Sequence, residues 1–293
     1  MSRTPELPPV ALQRAVVIRG PREPGGSGER CPLGRTLSSG RGALAAAALA
    51  AVLLAAPQAR ADESEARRIF QSMSDYLAAQ KTFSFDFDAS LDVVTKEGQK
   101  ITLASSGSAT VERPDKIRAT RTGGFADVEI VFDGKTATLI GRNANAYAQL
   151  DIPGSLDNLV DTLRDTYHRP LPAADLLMSD VSGQLLPLVT DVKDLGSGVI
   201  GGVECDHLAF RSDDVDWQIW IAQGDRPYPC RYTITSKQVA GFPEYTIVVK
   251  DWKSGAEVAG AGFAPSIPAG ATRLEASGIS DDLPSHFTLG DAK

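Results

Sequence analysis

Cys205 and His207 are the residues best suited to chemistry, because a thiol and an imidazole stand on either side of Asp206. Alternate side chains of a β-strand point to the same face, so these two groups would lie next to each other. Zinc sites use three or four protein ligands, however, and this pattern supplies only two. The sequence therefore predicts neither a metal site nor a cofactor.

Other catalytic signatures are missing from the sequence. It contains neither the G-x-S-x-G pattern of serine hydrolases nor the H-E-x-x-H pattern of zinc proteases. The glycine-rich stretches 196–198 and 201–202 are typical of hairpin turns, since no helical pattern follows them to complete a phosphate-binding loop. Three regularly spaced carboxylates, Asp157, Asp161 and Asp165, are interpreted as the solvated face of a helix. We therefore expect a protein without enzyme activity, and a hydrolase is the weakest functional class.

A second group of residues is suited to holding an apolar ligand. Large apolar side chains alternate with polar ones along several segments, as in a strand with one dry face and one wet face. The candidates for a core or for the lining of a binding cavity are Phe83, Phe85, Phe87, Ile130, Phe132, Trp217 and Ile219. Trp220 points to the opposite face of its strand, and the sequence does not decide which face lines a cavity.

Residues 1–61 have the features of a leader with a signal peptide. The apolar run in 43–61 follows basic residues and ends at Ala59-Arg60-Ala61, an A-x-A cleavage pattern. It is shorter than the roughly 20 apolar residues that a membrane-spanning helix requires. We expect export to the periplasm with cleavage after Ala61, and an uncleaved membrane anchor is the alternative.

The charge of the chain argues against a nucleic-acid partner. Residues 1–61 hold eight Arg and three Glu, so the remaining 232 residues carry 22 basic and 34 acidic side chains. Their net charge is −12, compared with −7 for the whole sequence. Nucleic acids and anionic membrane surfaces favour basic patches, so we expect the mature chain to bind neither. Its length suits one large β-rich domain or two small ones.

Two cysteines, Cys205 and Cys230, remain after the leader is removed. An even pair in an oxidising compartment predicts a disulfide, which would stabilise the fold by about 3 kcal/mol through closing a loop in the unfolded chain. Two separate buried thiols are the alternative. A redox-active pair is not expected, because the spacing is not C-x-x-C.

The elements that must position these residues begin with an amphipathic helix over 62–80. Alternating segments separated by turns then predict a meander of six strands over 82–151. A helix that begins at Ser155 and a short helix over 172–179 interrupt the strands. Five further strands are predicted at 187–196, 199–211, 215–222, 229–239 and 243–252.

This order of elements predicts an α+β fold, namely a half-open antiparallel β-barrel of about eleven strands. An N-terminal helix and a mid-chain helical lid complete it. The domain is expected to span residues 62–276, with a C-terminal tail over 277–293. Helices inserted between the two meanders are well placed to cover a concave face, which is a common place for a hydrophobic ligand.

Four short motifs follow one another in a characteristic order. They are the turn and strand Arg113-Pro114-Asp115-Lys116-Ile117-Arg118, the hairpin Asp133-Gly134-Lys135, a P-A-x-x-L-L helix from Pro172 and a closing segment from Phe263 to Gly270. Together they resemble the periplasmic lipoprotein carriers and receptors of the LolA/LolB-like superfamily. The resemblance implies the half-barrel fold. It also implies that Arg113 hydrogen-bonds carbonyl groups of the lid and latches it, whereas a simple turn cap is the alternative.

Longer blocks of sequence carry a second resemblance. MSDYLAAQKTFSF, RATRTGGFADVEIVFDGKT, CDHLAFR and DWQIWIAQGDRPYPCRY are similar to segments of a family of exported bacterial proteins, domain of unknown function 2092. This resemblance covers nearly the whole mature chain. It implies the same half-barrel and supplies no activity.

The sequence as a whole favours a periplasmic protein that binds a hydrophobic ligand in a capped half-barrel. That ligand would be a lipid, an acyl chain or an acylated lipoprotein. A module that binds or senses another envelope protein is the second hypothesis. No nucleic-acid partner and no stable membrane insertion are expected.

Overall fold

The computed structural model describes residues 56–95, 98–124, 127–167, 171, 173–258, 260 and 262–275. Helix α1 (Ala56–Ala79) precedes the strands β1 (Thr82–Val94), β2 (Lys100–Glu112), β3 (Lys116–Gly123), β4 (Asp127–Phe132), β5 (Thr136–Gly141) and β6 (Ala146–Asp151). A helical segment follows, with α2 (Leu156–Asp165), a 3-10 helix (Ala174–Leu177), α3 (Val181–Leu185) and a 3-10 helix (Leu186–Leu188). The last elements are β7 (Asp191–Ile200), β8 (Val203–Arg211), β9 (Val215–Ala222), β10 (Pro229–Ser236), β11 (Glu244–Ser254), a 3-10 helix (Gly255–Glu257) and β12 (Thr272–Leu274).

The twelve strands of the described residues form one open sheet, in the order β12-β6-β5-β4-β3-β2-β1-β11-β10-β9-β8-β7. Strand β1 is central and pairs with β2 on one side and with β11 on the other. Every pairing is antiparallel except that of β12, which runs parallel to β6. The predicted open antiparallel sheet is confirmed. The predicted count of eleven strands is wrong by one, because the short segment at Thr272–Leu274 adds a strand at one edge.

The hairpins form where turn residues interrupt the alternating pattern. In the turn between β4 and β5, Gly134 has a φ of 90°, a conformation that glycine adopts without steric cost. The Asp133 carboxylate accepts hydrogen bonds from the backbone N–H groups of Lys135 and Thr136, at 3.0 and 2.8 Å. The predicted Asp-Gly hairpin is therefore confirmed, and it sets the register of β4 against β5.

The helices all pack against one face of the sheet, which we call the inner face. Helix α2 covers strands β1–β6 through a first hydrophobic cluster, which includes Phe83, Val111, Ile117, Phe132, Leu156 and Leu159. Helices α1 and α3 cover β7–β11 through a second cluster, which includes Phe70, Leu185, Leu208, Trp217, Ile219 and Tyr232. The inner face thus has two covered halves that meet at β1, which contributes residues to both clusters.

Helix α1 packs through the apolar stripe that its sequence predicts. Ala66, Phe70, Met73 and Leu77 recur at helical spacing and are at most 1% exposed. The helix begins at Ala56 instead of residue 62, so it runs through the predicted cleavage point at Ala61. Cleavage there would remove only the first turns and would leave the buried stripe in place. The cleavage itself remains a prediction, and residues 1–55 lie outside the described residues.

Three predictions for the second half differ from the structure. The strand predicted at 187–196 begins at Asp191, because Leu186–Leu188 form a 3-10 helix with Pro187 in its first turn. The hairpin turn that follows is at Gly201 and Gly202, both with positive φ, whereas Gly196 lies in an irregular stretch of β7. The helix predicted over 172–179 is a 3-10 helix over Ala174–Leu177, and Pro172 lies outside the described residues.

The segment from Gly262 to Leu274 crosses the outer face of the sheet and holds a buried ion pair in place. Glu129 of β4 is 2% exposed and accepts hydrogen bonds from Arg118 Nε at 2.6 Å and from Arg142 Nη2 at 2.5 Å. Arg118 also donates to the Gly262 carbonyl.

Among the described helices, none is both long enough and apolar enough to span a membrane.

Candidate functional site

The three phenylalanines of β1 join the two halves of the inner face. Phe83 belongs to the first cluster and Phe87 to the second, whereas Phe85 is half-buried and contacts both. Their ring centroids follow one another at 6.4 and 6.2 Å along the strand. Alternation alone places all three on one face. The structure adds that this face is the one beneath the helices.

Trp252 of β11 extends this aromatic row, although it is not among the ligand-binding residues predicted from the sequence. Its ring centroid lies 5.1 Å from that of Phe83 and 5.8 Å from that of Phe85. Tyr228 stacks on it at 5.2 Å with an interplanar angle of 2°. Its indole Nε1 donates to the Tyr76 hydroxyl of α1 at 3.2 Å. We call these six residues the aromatic seam: Tyr76, Phe83, Phe85, Phe87, Tyr228 and Trp252.

A backbone irregularity explains why Trp252 points inwards. Up to Val249, the odd-numbered residues of β11 face the same way as Phe87. The register then shifts between Ser84 and Asp86, and Asp251 adopts a φ of 50°. This bulge turns the even-numbered Trp252 towards the inner face. Simple alternation over 243–252 would place Trp252 on the outer face with Lys250. The alternating pattern of the sequence therefore does not reveal its inward position.

The other predicted ligand-binding residues also lie on the inner face, but most are part of a core. Phe132 and Ile219 are fully buried, and Trp217 is 2% exposed. Trp217 stacks on Phe210, with 3.9 Å between ring centroids. Ile130 is half-buried at the margin of the first cluster. Of the seven candidates, only Phe85 and Ile130 therefore keep appreciable exposure. Whether any of the seven contacts a ligand remains a prediction.

Arg113 contacts both the aromatic seam and the helical segment. Its guanidinium carbon lies 5.6 Å from the centroid of the Phe83 ring. Its Nη2 donates to the Met178 carbonyl at 3.1 Å, just beyond the 3-10 helix Ala174–Leu177. Burial lowers the pKa of Arg113, and the nearby Asp157 carboxylate opposes that shift. This hydrogen bond is the kind that a latch would use, whereas the latch role itself remains a prediction.

Residues 173–188, which we call the lid, are held by few hydrogen bonds besides that of Arg113. Asp157 of α2 accepts hydrogen bonds from Ser179, one of them from its backbone N–H at 2.9 Å. The backbone N–H of Ser182 donates to the Ser74 hydroxyl of α1 at 3.0 Å. Asp157 was interpreted as part of a solvated carboxylate face. The structure instead makes it a tether between α2 and the lid.

Beneath the lid, two polar atoms are buried without a hydrogen-bond partner among the described residues. They are Asp175 Oδ2 and the Tyr232 hydroxyl. Burial raises the pKa of the Asp175 carboxyl to about 6, against the opposing effect of Arg164. Burial also raises the pKa of Tyr232, and the charge of Asp175 adds to that rise. The closed lid therefore places a carboxyl group and a phenol in one apolar interior.

Cys205 and Cys230 lie together in a small buried cluster with Ala222, and both thiols are free. Burial raises the pKa of both. Cys205 pairs with Ala222 of β9, whereas Cys230 belongs to β10, so β9 runs between them. The two thiols nevertheless act on each other's pKa, so they lie close together without being bonded. The disulfide is absent from this structure and remains a prediction for the oxidised protein.

Trp220 lies on the outer face, as alternation predicts, and its ring is covered. The His207 ring stacks on it with 4.0 Å between centroids, and the Arg231 guanidinium lies 4.9 Å from it. His207 Nε2 is 3.0 Å from the Gln218 side-chain oxygen. His207 therefore serves packing at this position. Within the described part of the chain, no three potential metal-ligating side chains gather at one place.

Several solved structures are similar to this chain at low sequence identity and low TM-score. An uncharacterized conserved protein from Thermus thermophilus is 12% identical, with a TM-score of 0.43, over 72% of this chain and 99% of its own. The lipoprotein LppX of Mycobacterium tuberculosis is 14% identical, with a TM-score of 0.34, over 65% and 96%. The Pseudomonas aeruginosa MucA/MucB complex is 15% identical, with a TM-score of 0.39, over 68% and 61%. Values this low do not indicate what this chain binds.

The sequence also matches a protein family over most of its length. No curated protein matches the chain. Residues 66–276, however, match the family described as "Predicted periplasmic protein (DUF2092)". The matched region begins at Ala66, the first buried residue of the α1 stripe, and ends just beyond β12. The chain therefore belongs to the DUF2092 family of predicted periplasmic proteins.

Proposed function

We propose that this protein binds a hydrophobic ligand on the inner face, at the aromatic seam between the two hydrophobic clusters. The observation that carries the proposal is the partial exposure of Phe85 and Trp252, which pack against both clusters without being buried by either. Ala119, Ile130 and Leu139 are similarly half-buried on the adjoining strands. Apolar and aromatic surface of this kind, with few polar groups, is typical of sites for apolar ligands.

The lid supports this proposal because it would control access to the site. It is tied to Arg113, α1 and α2 by isolated hydrogen bonds, and each of these contributes only about 1 kcal/mol net. Loss of the Arg113 contact would also free the guanidinium from the ring of Phe83, a member of the seam. We propose that Arg113 latches the lid and that ligand entry requires its release.

The proposal also concerns the cellular location of the protein and the functional class to which it belongs. The acidic composition, the leader-like residues 1–61 and the family description favour a periplasmic protein cleaved after Ala61, with a functional domain over 62–276. We propose a carrier, sensor or buffer of a lipid, an acyl chain or an acylated protein, without catalytic activity. The seam offers apolar contacts and no arranged nucleophile, general base or metal-ligand set among the described residues.

Native mass spectrometry of the protein recovered from the periplasm tests the proposal. Bound lipid or acyl-protein mass, identified after organic extraction, is the expected result. Uptake of a fluorescent fatty acid should weaken when Phe85 or Trp252 is replaced by Ala, and should be unchanged for the outer-face control Trp220→Ala. A clean mass without bound lipid, together with no uptake of the probe, would refute the proposal.

A second candidate function is the binding of another envelope protein. It is favoured by the edge strand β7, on which Leu195 and Val199 are 48% and 64% exposed. An exposed edge strand can add a strand of a partner by main-chain hydrogen bonds. Crosslinking in the periplasm through a photoreactive residue at Val199 would capture such a partner. A hydrophobic ligand in the seam and a partner at β7 would be independent of each other.

A further inference from the structure

Two polar groups beneath the lid are buried without hydrogen bonds. The Tyr232 hydroxyl belongs to a side chain that is 1% exposed, and Asp175 Oδ2 is likewise shielded from solvent. Neither atom has a hydrogen-bond partner among the described residues, so the two groups do not bond to each other. Buried polar atoms in proteins are nearly always paired, and each exception therefore calls for an explanation.

The two groups come from opposite sides of the same interior. Asp175 lies in the 3-10 helix of the lid, Ala174–Leu177, whereas Tyr232 belongs to β10 and to the second hydrophobic cluster of the inner face. The charge of Asp175 acts on the Tyr232 phenol, so the two groups are close in space. The closed lid therefore brings them together, and a third group between them can contact both.

This position adjoins the aromatic seam. Leu176 belongs to the second cluster and Leu177 packs against the first, so the 3-10 helix of the lid lies at the junction of the two clusters. Tyr232 pairs with Ile247, which in turn pairs with Ala89 of β1. Two strand spacings of roughly 4.8 Å thus separate Tyr232 from the strand that carries the phenylalanines of the seam. A ligand in the seam would have part of its length within reach of the buried pair.

The hydrogen-bonding capacity of the pair selects one kind of ligand group. An ionised carboxylate only accepts hydrogen bonds, whereas a phenol can donate one. A ligand hydroxyl both donates and accepts, so a single hydroxyl can satisfy Asp175 and Tyr232 together. A methyl group can satisfy neither. A site that hydrogen-bonds a ligand hydroxyl discriminates strongly against an analogue without it, because the buried polar groups are then left unpaired.

Charged head groups fit this position less well than a hydroxyl does. A carboxylate or phosphate would lie beside the Asp175 carboxyl, and like charges repel in an apolar interior. Arg164 acts on Asp175 with the opposite charge, but its guanidinium is already paired with Asp161 and Asp165 at 2.7 and 2.8 Å. An ammonium group only donates, so it would leave the O–H of Tyr232 without an acceptor.

We infer that Asp175 and Tyr232 form a polar subsite that binds a hydroxyl group of a neutral lipid, such as an acylglycerol, whose apolar part occupies the aromatic seam. The inference rests on the proposed function, because it names the chemical class of the ligand for the same site. It gives the apolar seam a specificity determinant. It also gives the lid a role in recognition, because Asp175 meets Tyr232 only when the lid is closed.

Three ligands with the same tail test this inference. Monolauroylglycerol carries hydroxyl groups, methyl laurate has no hydrogen-bond donor, and laurate is an anion. Their affinities are measured by displacement of the neutral fluorescent probe N-phenylnaphthylamine at neutral pH. The native protein should bind monolauroylglycerol more tightly than the other two. Tyr232→Phe and Asp175→Leu should each weaken the binding of monolauroylglycerol about tenfold and leave that of methyl laurate unchanged, as expected for the loss of one hydrogen bond.

A matched variant and a stability measurement serve as controls. Tyr147→Phe removes a hydroxyl from the opposite face of the sheet, because Tyr147 pairs with Ile140 and Ile140 with Glu129 of the outer ion pair. It should change none of the three affinities. In urea unfolding without ligand, Tyr232→Phe should be at least as stable as the native protein, since it removes a buried hydroxyl that has no partner. A clear loss of stability would mean that the hydroxyl is already satisfied, for example by a bound water, and would overturn the assignment.

The binding outcomes separate the two proposals. Unchanged affinity of Tyr232→Phe for monolauroylglycerol would overturn the subsite and leave the apolar site intact. Tighter binding of laurate than of monolauroylglycerol by the native protein would also overturn it, in favour of an anionic head group. Binding of none of the three ligands and of no probe would overturn the proposed function and the subsite with it.

Discussion

Replacing Asp175 by Asn should stabilise the protein at neutral pH. Burial beneath the lid raises the pKa of this carboxyl from 3.8 to about 6. Between these two values the folded protein keeps the proton and the unfolded chain has lost it. The contribution of Asp175 to the free energy of unfolding therefore falls as the pH rises through this window and is constant above it. A rise of this size corresponds to about 3 kcal/mol, which is an upper bound because the residue keeps part of its exposure.

Urea unfolding of the native protein, Asp175→Asn and the control Asp161→Asn, at a series of pH values from about 4 to 8, measures this effect. The gain in stability of Asp175→Asn over the native protein should grow as the pH rises from about 4 to 6 and should stay constant above that. Asn has nearly the same shape as Asp and carries no charge, so it avoids the cost of burying a carboxylate at this position. Asp161 pairs with Arg164 on the exposed side of α2, and its replacement should leave the pH dependence as in the native protein.

Two results would contradict this reasoning. An Asp175→Asn variant with the same pH dependence as the native protein would mean that the carboxyl is well solvated or paired in solution. A variant less stable than the native protein at pH 7 would mean that the ionised carboxylate makes a favourable interaction beneath the lid. Either result would mean that burial of the Asp175 carboxyl does not make the folded protein less stable at neutral pH than at acidic pH.

Three further predictions concern other contacts. Arg113→Leu should speed both uptake and release of a fluorescent fatty acid, because the lid loses its hydrogen bond; unchanged rates would exclude the latch role. Gly107→Ala should lower the free energy of unfolding by about 1–3 kcal/mol or more, because the new Cβ would lie 2.0 Å from the Thr120 carbonyl oxygen. The control Gly124→Ala should have little effect, because Gly124 faces open space. Glu129→Gln should cost about 2 kcal/mol in urea unfolding, because two arginines lose a charged partner; a neutral outcome would show that the pair is replaced by solvent.

Much of the sheet follows from the sequence because its signals are local. The alternation of Phe83, Phe85 and Phe87 fixes their common face, and Asp133-Gly134 fixes a tight turn, whatever the rest of the chain does. The start of α2 is local too: the Ser155 hydroxyl accepts from the Asn158 backbone N–H, as an N-cap does. These features depend on neighbouring residues alone.

The parts that escaped prediction depend on distant contacts. Trp252 joins the aromatic seam only because the pairing of β11 with β1 is interrupted by a bulge. Strand β12 exists only because the chain returns to β6, more than a hundred residues earlier in the sequence. The Arg113 contact with Met178 was anticipated from a motif resemblance, and spacing alone would not have revealed it.

The central position of β1 has a consequence for the order in which the protein is assembled. Its partner β2 is the next strand along the chain, but its other partner β11 lies about 150 residues further on. The two halves of the sheet are therefore joined by contacts of high sequence separation, which slow folding. As the chain emerges from its N-terminal side, the first half would have one edge of β1 unpaired and the phenylalanines of the seam exposed until β11 arrives. A chaperone that shields an exposed strand edge is thus most useful to this chain in the interval between the emergence of β1 and that of β11.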